Sequence, residues 1–183
     1  MTIIREATAE DAGLISHIHA TSWRKDYRNL IAGDYLDRLP DNYWVPSVQA
    51  WLSSGQLYGL LILEEGKPVG ACLYGRGRDE AYSDWGEIVS LYLLPEATRR
   101  GLGSQLLQEA LRLLREDGYE RCYLWAIEDN VVANAFYRKH GFHAMPDRIQ
   151  YQIGGEDVTD IRYTLLNVPS AGEEQALSHR DER

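Results

Sequence analysis

One stretch constrains the fold more than any other. Residues 87–114, EIVSLYLLPEATRRGLGSQLLQEALRLL, run from an apolar segment through a proline, two arginines and two glycines into a leucine stripe. The long apolar run before Pro95 reads as a buried strand. Leu102, Leu106, Leu107, Ala110, Leu111 and Leu114 then recur at helical spacing, and Asp117-Gly118 supplies a stop. This predicts a strand, a tight turn and a helix packed back on the sheet. The first turn of such a helix leaves backbone N–H groups without intrahelical partners, and its macrodipole adds partial positive charge. That arrangement suits a phosphate: Gly101 and Gly103 let it approach the backbone, and Arg99 and Arg100 add charge. A glycine turn that only packs a helix on a sheet would read the same way.

The remaining elements follow in order. TIIREA alternates as a strand. Thr8, with Asp11 three residues on, caps a helix that carries Ala12, Leu14, Ile15 and Ile18 on one face. Residues 23–52 are dense in aromatics and broken by Gly33, Pro40 and Pro46, which predicts two short helices. QLYGLLILEEGKPVGACLYGRG reads as a hairpin, RCYLWAI as a strand, NVVANAFYRKHGF as a helix stopped at Gly141, and DVTDIRYTLL as a last strand. With the stretch before it, that makes one strand or two after the last helix. At 183 residues the chain fits one domain, taken as residues 1–167. Residues 168–183, poor in large apolar side chains, are expected to form a disordered polar tail.

Composition excludes several function classes. A net charge of −9 without a basic stripe argues against nucleic-acid binding. No apolar signal core and no membrane-length apolar run occur, so a cytoplasmic protein without membrane contact is expected. Cys72 and Cys122 sit singly in apolar runs and read as buried thiols. His17 with His19, and His140 with His143, lack a metal-ligand spacing, so no metal is expected. The nucleotide-triphosphate loop fails for want of Gly-Lys-Ser/Thr, and the dinucleotide fingerprint fails at Leu106.

Two motifs carry a family resemblance. Residues 87–107 resemble the acetyl-CoA-binding motif of the GNAT superfamily of N-acetyltransferases, Arg/Gln-x-x-Gly-x-Gly/Ala after a strand that ends near a proline. Residues 130–142 are similar to the family's second signature, Asn-x-x-Ala-x-x-Leu/Phe-Tyr-x-x-x-Gly-Phe. Thr98 departs from the first pattern, standing where Arg or Gln is usual, and Arg99 stands where glycine is common. The resemblance implies an α/β fold: a mixed, mostly antiparallel twisted sheet of six to seven strands flanked by about four helices.

It also implies roles. Acetyl-CoA is the expected donor. The backbone at Leu91, Tyr92 and Leu93 would hold its pantetheine arm, the loop of Arg99, Arg100, Gly101, Leu102, Gly103 and Ser104 its pyrophosphate, and Asn130 the pantetheine or acetyl end. Tyr137 is the expected acid for the departing thiolate. Glu87 is a candidate base, with a salt-bridged carboxylate as its alternative. Trp23, Tyr27, Tyr35 and Arg76 are candidates for the acceptor pocket, whose occupant would be an amine of a small molecule or peptide. The last strands mediate dimers in some members, so a homodimer is compatible with the resemblance. A noncatalytic acyl-CoA-binding module and a plain nucleotide-binding α/β protein are the rival readings.

Overall fold

The computed structural model describes residues 1–170. Seven strands form one sheet in the order β1-β2-β3-β4-β5-β7-β6. The strands are β1 (Thr2–Glu6), β2 (Tyr58–Glu64), β3 (Lys67–Arg76), β4 (Gly86–Leu93), β5 (Cys122–Ile127), β6 (His143–Ile153) and β7 (Glu156–Leu165). The helices are α1 (Ala12–Asp26), α2 (Gly33–Arg38), α3 (Val45–Ser54), α4 (Leu102–Glu116) and α5 (Val131–Lys139). All sheet pairings are antiparallel except β4 with β5.

Local chemistry explains the turns. The Asp11 carboxylate accepts the Thr8 N–H at 2.8 Å and is gripped by Arg5 at 2.8 and 2.7 Å, which fixes the approach to α1. Between β2 and β3, Glu65 and Gly66 both take positive φ, 48° and 77°, the conformation of a two-residue hairpin turn. The leucine stripe of α4 is buried against one face of the sheet, and α1 and α3 cover the other through Ile15, Ile18 and Val48.

The feature that positions a site is a splay. β4 pairs with β5 only over Gly86–Ile88 against Cys122–Leu124. Past Ile88, β4 keeps β3 as its neighbour while β5 continues along β7, so the two strands separate. A bulge marks the point of departure: Leu73 pairs with Ser90 and Tyr74 with Ile88, leaving Val89 unmatched. Such bulges bend a strand and end its pairing locally.

The expected sheet is present with its full seven strands, and the described residues contain five α-helices where about four were expected. The two short helices predicted for residues 23–52 are present as α2 and α3, and with α1, α4 and α5 they exceed by one the number the family resemblance implied. The final strand is preceded by an eleven-residue partner, β6. Val168 is buried, and its N–H donates to the Glu120 carbonyl at 2.9 Å, so the folded region runs past residue 167. Most of the expected tail, residues 171–183, lies outside the described residues. Both cysteines are buried free thiols, and burial pushes both pKa values up. No helix among the described residues is long and apolar enough to cross a membrane.

Candidate active site

The splay opens into a cavity of about 100 Å³. Its walls are β4 from Ile88 to Tyr92, β5 from Trp125 to Ile127, the end of α1 at Asp26 and Tyr27, and Asn130, Ala133 and Tyr137 at α5. Asn130 caps α5 by accepting the Ala133 N–H at 3.2 Å. Asn134 anchors the same turn by donating to the carbonyls of Ile127 at 3.3 Å and Glu128 at 2.7 Å. Tyr137 therefore projects from a firmly held helix. Its ring packs against Phe136, Phe142 and Tyr163, while its hydroxyl has no hydrogen-bond partner among the described residues. Burial raises its pKa above that of an ordinary phenol, so the proton stays on at neutral pH.

Beside the cavity lies the N-terminus of α4. Arg99 and Gly101 both adopt left-handed φ, 61° and 77°. Glycine takes that conformation freely; a non-glycine residue there is strained, and such strain clusters at functional sites. The first helical bond is donated by Gln105 to the Gly101 carbonyl at 3.2 Å, so the N–H groups of Leu102, Gly103 and Ser104 precede it. The Ser104 hydroxyl meets His140 Nε2 at 3.0 Å, and His140 Nδ1 donates to the Phe136 carbonyl at 2.8 Å, which ties this turn to the end of α5. The strand splay and the unpartnered phenol thus share one cavity, and the open terminus of α4 is tied to the same helix, α5, through Ser104 and His140.

Comparison with known proteins agrees with that geometry. The family model for the acetyltransferase (GNAT) family matches residues 15–142. The chain belongs to this family. An uncharacterized N-acetyltransferase, YuaI of Bacillus subtilis, is 31% identical over 88% of this chain and 91% of its own. A spermidine N(1)-acetyltransferase of Thermoplasma acidophilum is 27% identical over 76% of this chain and 86% of its own. The solved structure of yncA from Salmonella typhimurium with its cofactor acetyl-CoA superposes with a TM-score of 0.69 at 21% identity, covering 91% of this chain and 94% of that one. The protein is thus a GNAT N-acetyltransferase.

Within this GNAT domain the expected residues fall into three groups. The structure brings Leu91, Tyr92, Asn130, Tyr137 and Tyr27 to the cavity wall. Leu93 follows in β4, but its carbonyl is taken by the Ser22 hydroxyl at 2.8 Å. Trp23 stands one bond away: its indole N–H donates to the Tyr92 hydroxyl at 3.0 Å, and the Tyr27 hydroxyl meets the same oxygen at 3.0 Å.

The others are placed elsewhere. Arg100 spends its guanidinium on Glu64 of β2, in a two-pronged pair at 2.7 and 2.7 Å, rather than leaving it free for a ligand. Arg76 donates from Nε to the Ser83 carbonyl at 2.8 Å, at the end of β3 away from the cavity. Tyr35 packs against the β6–β7 turn, its ring against Gly154. Glu87 is buried and does not line the cavity. Its carboxylate accepts from Arg78 through the backbone N–H at 3.0 Å, Nε at 3.1 Å and Nη2 at 2.8 Å, and from the Tyr123 hydroxyl at 2.9 Å.

Three neighbours of the GNAT cleft carry no sequence signal of their own. Asp26 lines the cavity from the last position of α1. His19 is buried between the rings of Trp44 and Tyr92 and reaches the Ser90 hydroxyl at 3.3 Å; burial lowers its pKa to about 3. Arg162 is buried with its guanidinium over Tyr82 at 3.8 Å and over Trp125 at 4.3 Å, backing one wall of the cleft. At the end of a helix, in the middle of one, or along a strand, each would pass for an ordinary surface or core residue.

Proposed function

We propose that the protein transfers the acetyl group of acetyl-CoA directly to a primary amine of a small molecule or peptide, with donor and acceptor bound together. The observation that carries this reading is the Tyr137 hydroxyl: a protonated phenol without a partner, held by a capped helix at the wall of a strand splay. When bound, acetyl-CoA supplies an activated thioester carbonyl. The residues present suit it, since β4 beyond Ile88 is unpaired on the side facing β5 and can accept an arm laid along it. The turn from Arg99 to Ser104 offers helix N–H groups for the pyrophosphate. The charge of Arg99 supplements them, whereas that of Arg100 is engaged by Glu64.

In this scheme the neutral amine nitrogen bonds to the carbonyl carbon, the carbon–sulfur bond breaks, and Tyr137 gives its proton to the leaving sulfur. The proton released by the new amide passes to solvent, which then restores the phenol. Glu87, once a candidate base, fits better as a strut at the start of the splay. The relative named for spermidine supports an amine acceptor without fixing which one. The test is calorimetric titration with acetyl-CoA, CoA, ATP and NAD, followed by thiol release across an amine library. Absence of CoA binding at millimolar concentration overturns the reading; binding without thiol release for any amine makes the protein an acyl-CoA-binding module.

A further inference from the structure

Asp26 is the only charged residue among those that line the cavity. It ends α1, where unpaired carbonyls and the negative end of the helix macrodipole disfavour an anion. Among the described residues its carboxylate has neither a hydrogen bond nor an ion pair, although most charged residues of the chain have one or the other. Burial raises its pKa, with Lys25 next to it acting in the opposite direction. The residue stays exposed at the mouth of the cavity, so water solvates the carboxylate in the empty cleft and leaves it open to a ligand.

The surroundings suit a cation. Tyr27 lines the cavity with Asp26, and Trp23, Tyr27 and Tyr92 are joined through the Tyr92 hydroxyl, whereas the Trp125 ring already carries the Arg162 guanidinium at 4.3 Å. Aromatic faces attract ammonium groups. A second carboxylate, Asp160 of β7, acts electrostatically on the same Tyr92 hydroxyl and has Tyr151 as its hydrogen-bond donor at 3.0 Å. No lysine or arginine forms an ion pair with either aspartate among the described residues.

The reacting amine must be neutral to attack a carbonyl, so it takes nothing lasting from a carboxylate. A second amine on the same molecule stays protonated and does. We infer that Asp26 holds a second, non-reacting ammonium group of the acceptor, so that this transferase favours amines carrying two or more positive charges. The inference rests on the cavity being where the acceptor meets the thioester. Asp26 is then a specificity residue, whose carboxylate exchanges water for the ammonium when the cation binds.

The experiment compares butane-1,4-diamine with butylamine, which differ by the second ammonium. The wild type is expected to favour the diamine in kcat/KM by about tenfold, the worth of one charge-assisted contact. Asp26→Asn should collapse that ratio toward unity, chiefly through the KM of the diamine; Asp26→Glu should restore part of it. The Tm of Asp26→Asn should equal or exceed that of the wild type. A ratio near unity in the wild type, a ratio that survives Asp26→Asn, or equal losses on both amines with a lowered Tm overturns the inference. Calorimetry of the diamine against CoA-saturated protein separates this from the transfer reading. Diamine binding abolished by Asp26→Asn upholds the inference even without turnover, whereas absence of diamine binding overturns it even if other amines are acetylated.

Discussion

Arg78 closes on Glu87 as a fork on a fork, Nε to Oε2 at 3.1 Å and Nη2 to Oε1 at 2.8 Å, one residue before the last position at which β4 and β5 are paired. The Glu87 carboxylate is 3% exposed and Arg78 is 39% exposed, so the pair is partly screened. Glu87→Gln keeps an acceptor for Tyr123 but leaves Arg78 without its counter-charge. The expected outcome is a loss of about 1–3 kcal/mol in urea unfolding, discounted for the exposed partner. A kcat loss that leaves the unfolding midpoint in place, recovering at high pH, would instead give Glu87 the proton-transfer role.

How much of this was legible in the sequence depends on range. The α4 turn, the hairpin at Glu65-Gly66 and the stop at Gly141 are local, and dihedral preference with hydrophobic spacing makes them readable. Leu91, Tyr92, Asn130 and Tyr137 were reachable because two motifs bring their own spacing. The ion pairs were not. Arg100 finds Glu64 across 36 residues and Arg162 finds Asp79 across 83, so their charges look free in the sequence and are committed in the fold. Asp26 was hidden for the opposite reason: as the last residue of a helix with basic neighbours it reads as surface, and only the splay makes it part of a cavity.

Tyr137→Phe removes a hydroxyl that has no partner within the fold. Thermal unfolding should therefore move little, while kcat falls roughly 100-fold, as expected for a general acid. Because burial holds the phenol pKa above its usual value, the acid form persists through the alkaline range. The wild-type rate should show no loss attributable to Tyr137 as pH rises to about 10, the ordinary phenol pKa. Turnover unaltered in the phenylalanine variant removes Tyr137 from the mechanism.

Gly103→Ala separates packing from binding at the α4 turn. A methyl there meets Leu93 Cδ1 at 3.5 Å and Phe136 Cε2 at 3.6 Å, ordinary contact distances, and alanine favours the helix by about 1 kcal/mol over glycine. The variant should be as stable as the wild type or more so. If the turn seats pyrophosphate by close approach to the Gly103 backbone, the added carbon crowds that approach, and the Kd for CoA should rise about tenfold or more, the equivalent of one lost contact. An unchanged Kd would return this glycine to a packing role.

His19 makes the α1 side of the cleft sensitive to acid. Its folded pKa, lowered to about 3 from 6.5, lies below the unfolded value, so under pH 6.5 the unfolded chain binds a proton that the folded chain refuses. Stability is complete above that pH and declines as pH falls toward about 3. Between pH 6.5 and pH 5 the decline from this group alone is about 2 kcal/mol. His19→Gln should lower stability at neutral pH, because the ring packs between Trp44 and Tyr92, yet flatten the pH dependence over that window. Parallel stability curves for the two proteins would show that His19 carries no linked proton.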